Sequence, residues 1–191
     1  MQALIESGVP VSAVVSNRGD AQGLGIAAAR GIATAVVEHH AHATREAFEA
    51  ALGAQIDRFR PRVVALAGFM RVLTSAFVTR YEQKILNIHP SLLPAFPGLH
   101  THERALEAGV KVHGCTVHFV TAELDHGPIV AQAVVPGRAD DDAGTLGARV
   151  LKQEHVIYPK AVRWFLEGKL ALENGVVRLR GNDAQLVLAA D

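Results

Sequence analysis

The sequence predicts an α/β fold: a mostly parallel sheet covered by helices on both faces, with an antiparallel extension in the carboxyl half. Three observations carry this. The short apolar runs Val11–Ser16, Ala33–Val37, Val63–Ala67 and Ile85–His89 alternate with segments of helical composition, the pattern that folds as parallel strands joined by crossover helices. Beyond them, Gly114–Thr121 and Ile129–Pro136 follow one another with no helix between, so they are expected to pair antiparallel. Finally, Leu170–Leu172 and Val176–Leu179 flank Glu173-Asn174-Gly175, and an Asn-Gly pair between two apolar runs reads as a hairpin turn.

The helices are predicted from composition and caps. Met1–Ser7 is helical and stops at Gly8, and Gln22–Arg30 is a helix of small residues. Thr44 caps a helix running to Arg58, with Glu46 in the first turn where negative charge suits the dipole. Thr74–Tyr81 and His102–Ala108 are shorter, the second ending at Gly109. Asp140–Asp142 precedes a long amphipathic helix from Thr145 to Glu167 and places acid at its amino end. No repeat, low-complexity stretch or linker interrupts the chain, which reads as one domain over residues 1–191.

Composition narrows the function classes. Lys plus Arg and Asp plus Glu each total 19, so no basic field argues for nucleic acid. The single cysteine, Cys115, forms no internal disulfide and builds no zinc cluster. No apolar run approaches the roughly 18 residues that span a bilayer, and the start MQALIESGVP is not a secretory signal. The chain is therefore read as cytoplasmic. His39, His40 and His42, and His100 with His102, have no carboxylate or cysteine at metal-ligand spacing, so no metal is expected. Gly23 to Ala28 fits G-x-G-x-x-A, but the strand end at Ser16 lies too far upstream for the tight turn of a dinucleotide site; a glycine-tolerant helix is the better reading.

Chemistry is expected at Ile85–Leu99, ILNIHPSLLPAFPGL. Asn87 and His89, two residues apart in a strand, share one face. Pro90, Pro94 and Pro97 stiffen the loop that follows, at the carboxyl end of a strand, where open α/β sheets place their sites. Asp125 precedes His126-Gly127-Pro128, a turn able to push a carboxylate inward. Taken singly, Asn87 and His89 read first as satisfied polar groups and Asp125 as an ordinary turn aspartate. Together they suit acyl or formyl transfer: the amide donates to a developing oxyanion, the imidazole moves protons, and the carboxylate supports the charged imidazole.

Several motifs resemble the phosphoribosylglycinamide formyltransferase family: Asn87-Ile88-His89-Pro90-Ser91-Leu92-Leu93-Pro94 followed by Pro97 to His102, Ala67 to Leu73, Glu123 to Pro128, and Gln153 to Pro159. The resemblance runs from Met1 to about Gly181 and implies a Rossmann-like formyltransferase fold. It further implies formyl transfer from 10-formyltetrahydrofolate, as cosubstrate, to the amine of glycinamide ribonucleotide. Asn87, His89 and Asp125 would be catalytic. Arg45, Met70, Arg71, Val72, Leu73, Asn87, Thr121, Ala122, Glu123, Leu124 and Asp125 would bind the folate. Lys152, Gln153 and Glu154 would bind the nucleotide substrate, Glu154 through the ribose hydroxyls. Partners would be small molecules, with a homodimer admissible.

Related families share the Asn-x-His…Asp core. Formyltetrahydrofolate hydrolases typically have a second histidine where this chain has Pro90, and the methionyl-tRNA formyltransferase has Gly-Ala-Ala-Pro where this chain has Gly98-Leu99-His100-Thr101. The resembled family also opens with an apolar strand and a Gly-x-Gly-Ser-Asn phosphate loop that this sequence does not contain. The expectation is therefore an incomplete version of the enzyme, with Val11–Ser16 and Val63–Ala67 facing each other unpaired. The alternatives to transfer are hydrolysis of formyltetrahydrofolate and folate binding without turnover.

Overall fold

The computed structural model describes residues 1–189. The elements in chain order are α1 (Gln2–Glu6), β1 (Ala13–Ser16), α2 (Gln22–Ala28), β2 (Ala33–Val36), α3 (Arg45–Arg58), β3 (Val64–Leu66), α4 (Ser75–Arg80), β4 (Ile85–His89), α5 (Thr101–Glu107), β5 (Val112–Phe119), β6 (Ile129–Pro136), α6 (Ala143–Leu166), β7 (Leu170–Glu173), β8 (Val176–Leu179) and β9 (Leu186–Leu188). The predicted caps form. The Thr44 hydroxyl accepts the Ala47 N–H at 3.1 Å. Asp142 and Thr145 close a reciprocal capping box that starts α6 two residues before the predicted boundary. Strand β5 also starts early, because Val112 and His113 find partners in Pro136 and Val135. The three-residue helical turn His39–Ala41 and strand β9 were not legible in the sequence.

The main sheet has five strands in the order β3-β4-β5-β6-β9. Strand β3 runs parallel to β4 and β9 parallel to β6, while β4–β5 and β5–β6 are antiparallel. Strands β7 and β8 form the predicted terminal hairpin. Helix α6 covers one face, its Ile157, Tyr158, Ala161 and Val162 joining Leu86, Val117 and Ala133 in one core. On the other face Phe48, Leu52 and Ile56 of α3 join Phe77 and Val78 of α4 and Ile85 of β4. Tyr158 ties these layers together, its hydroxyl lying 2.7 Å from the Leu66 carbonyl and 2.8 Å from the Leu86 carbonyl.

Strands β1 and β2 form a parallel pair of their own. Between β1 and β3 lies a cavity of about 350 Å³ lined by Val11 to Asn17 and Val63 to Gly68, with Leu52, Ile56 and Val162 on its flanks. Strand β1 pairs only with β2 and β3 only with β4, so neither is hydrogen-bonded to the other across it.

Candidate active site

Strand β4 delivers Asn87 and His89 to the same side of the sheet, and both open onto a cavity of about 660 Å³. Asp125 reaches it from the connection between β5 and β6. Its backbone has φ +55°, the left-handed region that Asp tolerates better than most side chains, and this turns the carboxylate inward until its side chain is only 7% exposed. Asp125 Oδ2 then lies 3.5 Å from His89 Nδ1, and Oδ1 lies 3.9 Å from His118 Nε2.

The proline loop holds both groups. The Gly98 N–H donates to Asp125 Oδ2 at 2.8 Å. The Phe96 carbonyl lies 3.0 Å from His89 Nε2; a carbonyl only accepts, so that nitrogen carries the proton and Nδ1 is the one turned to the carboxylate. The loop is itself pinned. The Ser91 hydroxyl donates to the Ala95 carbonyl at 2.6 Å and the Thr101 hydroxyl to the Pro90 carbonyl at 2.7 Å. The buried Thr116 hydroxyl receives the Leu93 N–H at 3.0 Å and donates to the Ser91 carbonyl at 2.7 Å. Gln132 closes the other side, donating to the Leu93 carbonyl at 2.9 Å. Preorganisation of this kind keeps dipoles aimed where charge develops.

The rest of the cavity is an apolar wall with polar ends. Met70, Val72, Leu73 and Val120 line it, with Arg71 and residues 121–124. Met70 is 76% exposed and Leu124 52% exposed, and exposed apolar side chains gathered at one mouth mark a ligand site. Arg45 stands at the rim, donating to the Val72 carbonyl at 3.3 Å. Glu154 faces the cavity from α6, and burial raises its carboxyl pKa. Lys152 and Gln153 do not line the cavity; Lys152 points to solvent. His118 does line it, and sequence reasoning did not single it out. Its position depends on strand register, which no local pattern encodes. Among the described residues no group of three metal-ligating side chains comes together, and no helix is long and apolar enough to cross a membrane.

A strand-borne amide and imidazole, a loop-held carboxylate and an apolar cavity of this size define a site for group transfer from a bulky donor. The chain belongs to the formyl transferase family, whose profile matches residues 1–162. Within that family it is 51% identical over 171 residues to the phosphoribosylglycinamide formyltransferase of Escherichia coli (strain K12), covering 90% of this chain and 81% of that protein. Two solved phosphoribosylglycinamide formyltransferases share the fold. That of Anaplasma phagocytophilum superposes with TM-score 0.92 at 40% identity, over 99% of this chain and 92% of the other. That of Coxiella burnetii superposes with TM-score 0.89 at 44% identity, over 93% and 86%.

Proposed function

We propose that this chain transfers the formyl group of 10-formyltetrahydrofolate to the amine of glycinamide ribonucleotide, a step of purine synthesis, with Asn87, His89 and Asp125 carrying the reaction. The observation that supports this most is the convergence of the three groups on one cavity, with the carboxylate held by the backbone of the proline loop. The acceptor nitrogen attacks the formyl carbon and the carbonyl electrons move to oxygen. An Asn87 N–H donates to that oxyanion. The tetrahedral centre collapses by breaking its bond to the folate nitrogen, which takes a proton as the acceptor nitrogen loses one. His89 is the group in reach to move that proton, and Asp125, facing Nδ1, favours the charged imidazole while it does so.

The cavity suits the donor. Its volume lies within the roughly 300–1,000 Å³ of small-molecule sites, and Met70, Val72, Leu73, Val120 and Leu124 give a flat ring apolar surface to lie on. Arg45, bonded to the Val72 carbonyl beside the cavity, suits the acidic tail of a folate, and Glu154 in the lining suits hydroxyl groups of a ribose. The test is to supply both substrates and follow all products. Formylated acceptor and tetrahydrofolate appearing one for one supports the reading. Formate released irrespective of acceptor would instead make the chain a hydrolase, and donor binding without either product would make it a binding protein.

A further inference from the structure

Asn87 of β4 and His118 of β5 are register partners across the antiparallel pair. The β5–β6 ladder shifts register between Val117 and His118, the kind of irregularity that re-aims a side chain beside a site. His118 is fully buried, 2% exposed, and both its ring nitrogens are engaged. Nδ1 lies 2.9 Å from the Phe119 carbonyl, which only accepts, so Nδ1 carries hydrogen. In the neutral ring Nε2 then presents a lone pair, and it lies 3.2 Å from Asn87 Nδ2, which only donates. Reversing the asparagine amide would set its oxygen against that lone pair. One hydrogen bond therefore dictates the other.

The arrangement is guarded from behind. A Cβ at Gly127 would fall 1.7 Å from the Phe119 carbonyl oxygen and 3.4 Å from His118 Nδ1, so only glycine leaves that carbonyl where it holds the ring. Asp125 and His89 are the ionisable groups facing His118. Burial lowers its pKa, and this outweighs the Phe119 carbonyl and Asp125, which favour the charged ring. Asp125 Oδ2 is bonded to the Gly98 N–H.

We propose that His118 is a positioning residue whose neutral, Nδ1-protonated ring accepts one Asn87 N–H and so fixes the amide with its other N–H available to the oxyanion. The proposal rests on the reading of Asn87 as the oxyanion donor. A charged His118 would have a hydrogen on Nε2 turned against the Asn87 amino group, and the amide would reverse or withdraw. Asn87 alone has no means of choosing between its two amide orientations; the histidine chooses for it.

The test is a double-mutant cycle on formyl transfer with an independent spectroscopic readout. His118→Leu keeps the bulk and removes the acceptor. It is expected to lower kcat by about tenfold to 100-fold, the range of a misplaced catalytic group, with KM for the formyl donor nearly unchanged. His118→Gln retains an acceptor near the Nε2 position and is expected to recover most of the loss. Placed in an Asn87→Ala background, His118→Leu should cost nothing further, because the group it positions is gone. In the unsubstituted protein, ¹⁵N NMR of His118 should show a neutral ring protonated at Nδ1 at neutral pH. Wild-type kcat in His118→Leu, an equal loss in both backgrounds, or a proton on Nε2 would each overturn the proposal while leaving a slow Asn87→Ala enzyme explained. A fast Asn87→Ala enzyme would overturn the underlying reading of Asn87, and this proposal with it.

Discussion

Strands β1 and β5 are both apolar runs, yet the protein treats them differently. Seven of the eight residues of β5 are buried, and it is hydrogen-bonded along both edges, to β4 and to β6. All four residues of β1 are only half-buried; it pairs with β2 alone and turns its other edge to a cavity. The difference follows from what each strand supports. Around β5, the polar groups beside Asn87, His89 and Asp125 are bonded to one another and to the proline loop: Thr116 with Ser91 and Leu93, His118 with Asn87 and Phe119, Asp125 with Gly98. Around β1 the neighbours are helices and one parallel strand. Asn87, His89 and His118 thus lie on strands whose backbone is paired on both sides, the condition under which side chains hold position to a fraction of an ångström.

The comparison can be broken most sharply at the trio. His89→Ala is expected to reduce turnover by roughly 10²–10⁴ if it moves the proton, and Asn87→Ala by about 10²–10³ if it supplies an oxyanion donor. Both should retain a cooperative melt, because β4 stays paired to β3 and β5. Near-native turnover in either variant removes that residue from the mechanism.

The next effect concerns stability. Tyr158→Phe strips a fully buried hydroxyl from the carbonyls of Leu66 and Leu86, the link between α6 and strands β3 and β4. Leaving buried carbonyls short of a partner costs about 1–3 kcal/mol, which chemical denaturation reads directly. An unchanged midpoint would show that the link contributes nothing.

A smaller, pH-dependent effect belongs to His113 in β5. Burial, reinforced by the neighbouring His102 ring 3.1 Å away, pushes its pKa down from 6.5 to about 4. The unfolded chain therefore takes up the proton first. The stability contribution is complete above pH 6.5, is lost as the pH falls from 6.5 toward 4, and changes no further below that. Its ceiling is about 3 kcal/mol. Replacing His113 with Asn should flatten that stretch of the stability profile; an unaltered slope would assign the acid sensitivity elsewhere.

Much of this was legible in the residues. Strands β4 and β6 fell on their predicted bounds, Thr44 caps as expected, and Asn87, His89 and Asp125 do meet, because strand periodicity and turn chemistry are local. Long-range pairing was not legible. Strand β9 is Leu-Val-Leu, too short to declare itself, and it forms because β6 offers an edge. His118 stayed hidden inside an apolar run because its partnership with Asn87 depends on the β4–β5 register. Gly98 and Phe96 act through backbone atoms, which no side-chain pattern marks.

Native-state hydrogen exchange tests the difference between the two regions most directly. The amides of Cys115, Val117, Ala131 and Ala133 should exchange only through global unfolding, whereas those of β1 and β2 should exchange through local opening, at least about 100-fold faster after correction for intrinsic rates. That result would place the strand that pairs with Asn87 and His89 in the most stable part of the molecule. Equal protection of β1 and β5 would contradict the account, since it would mean that the strand facing the cavity is held as firmly as the strand that carries the site.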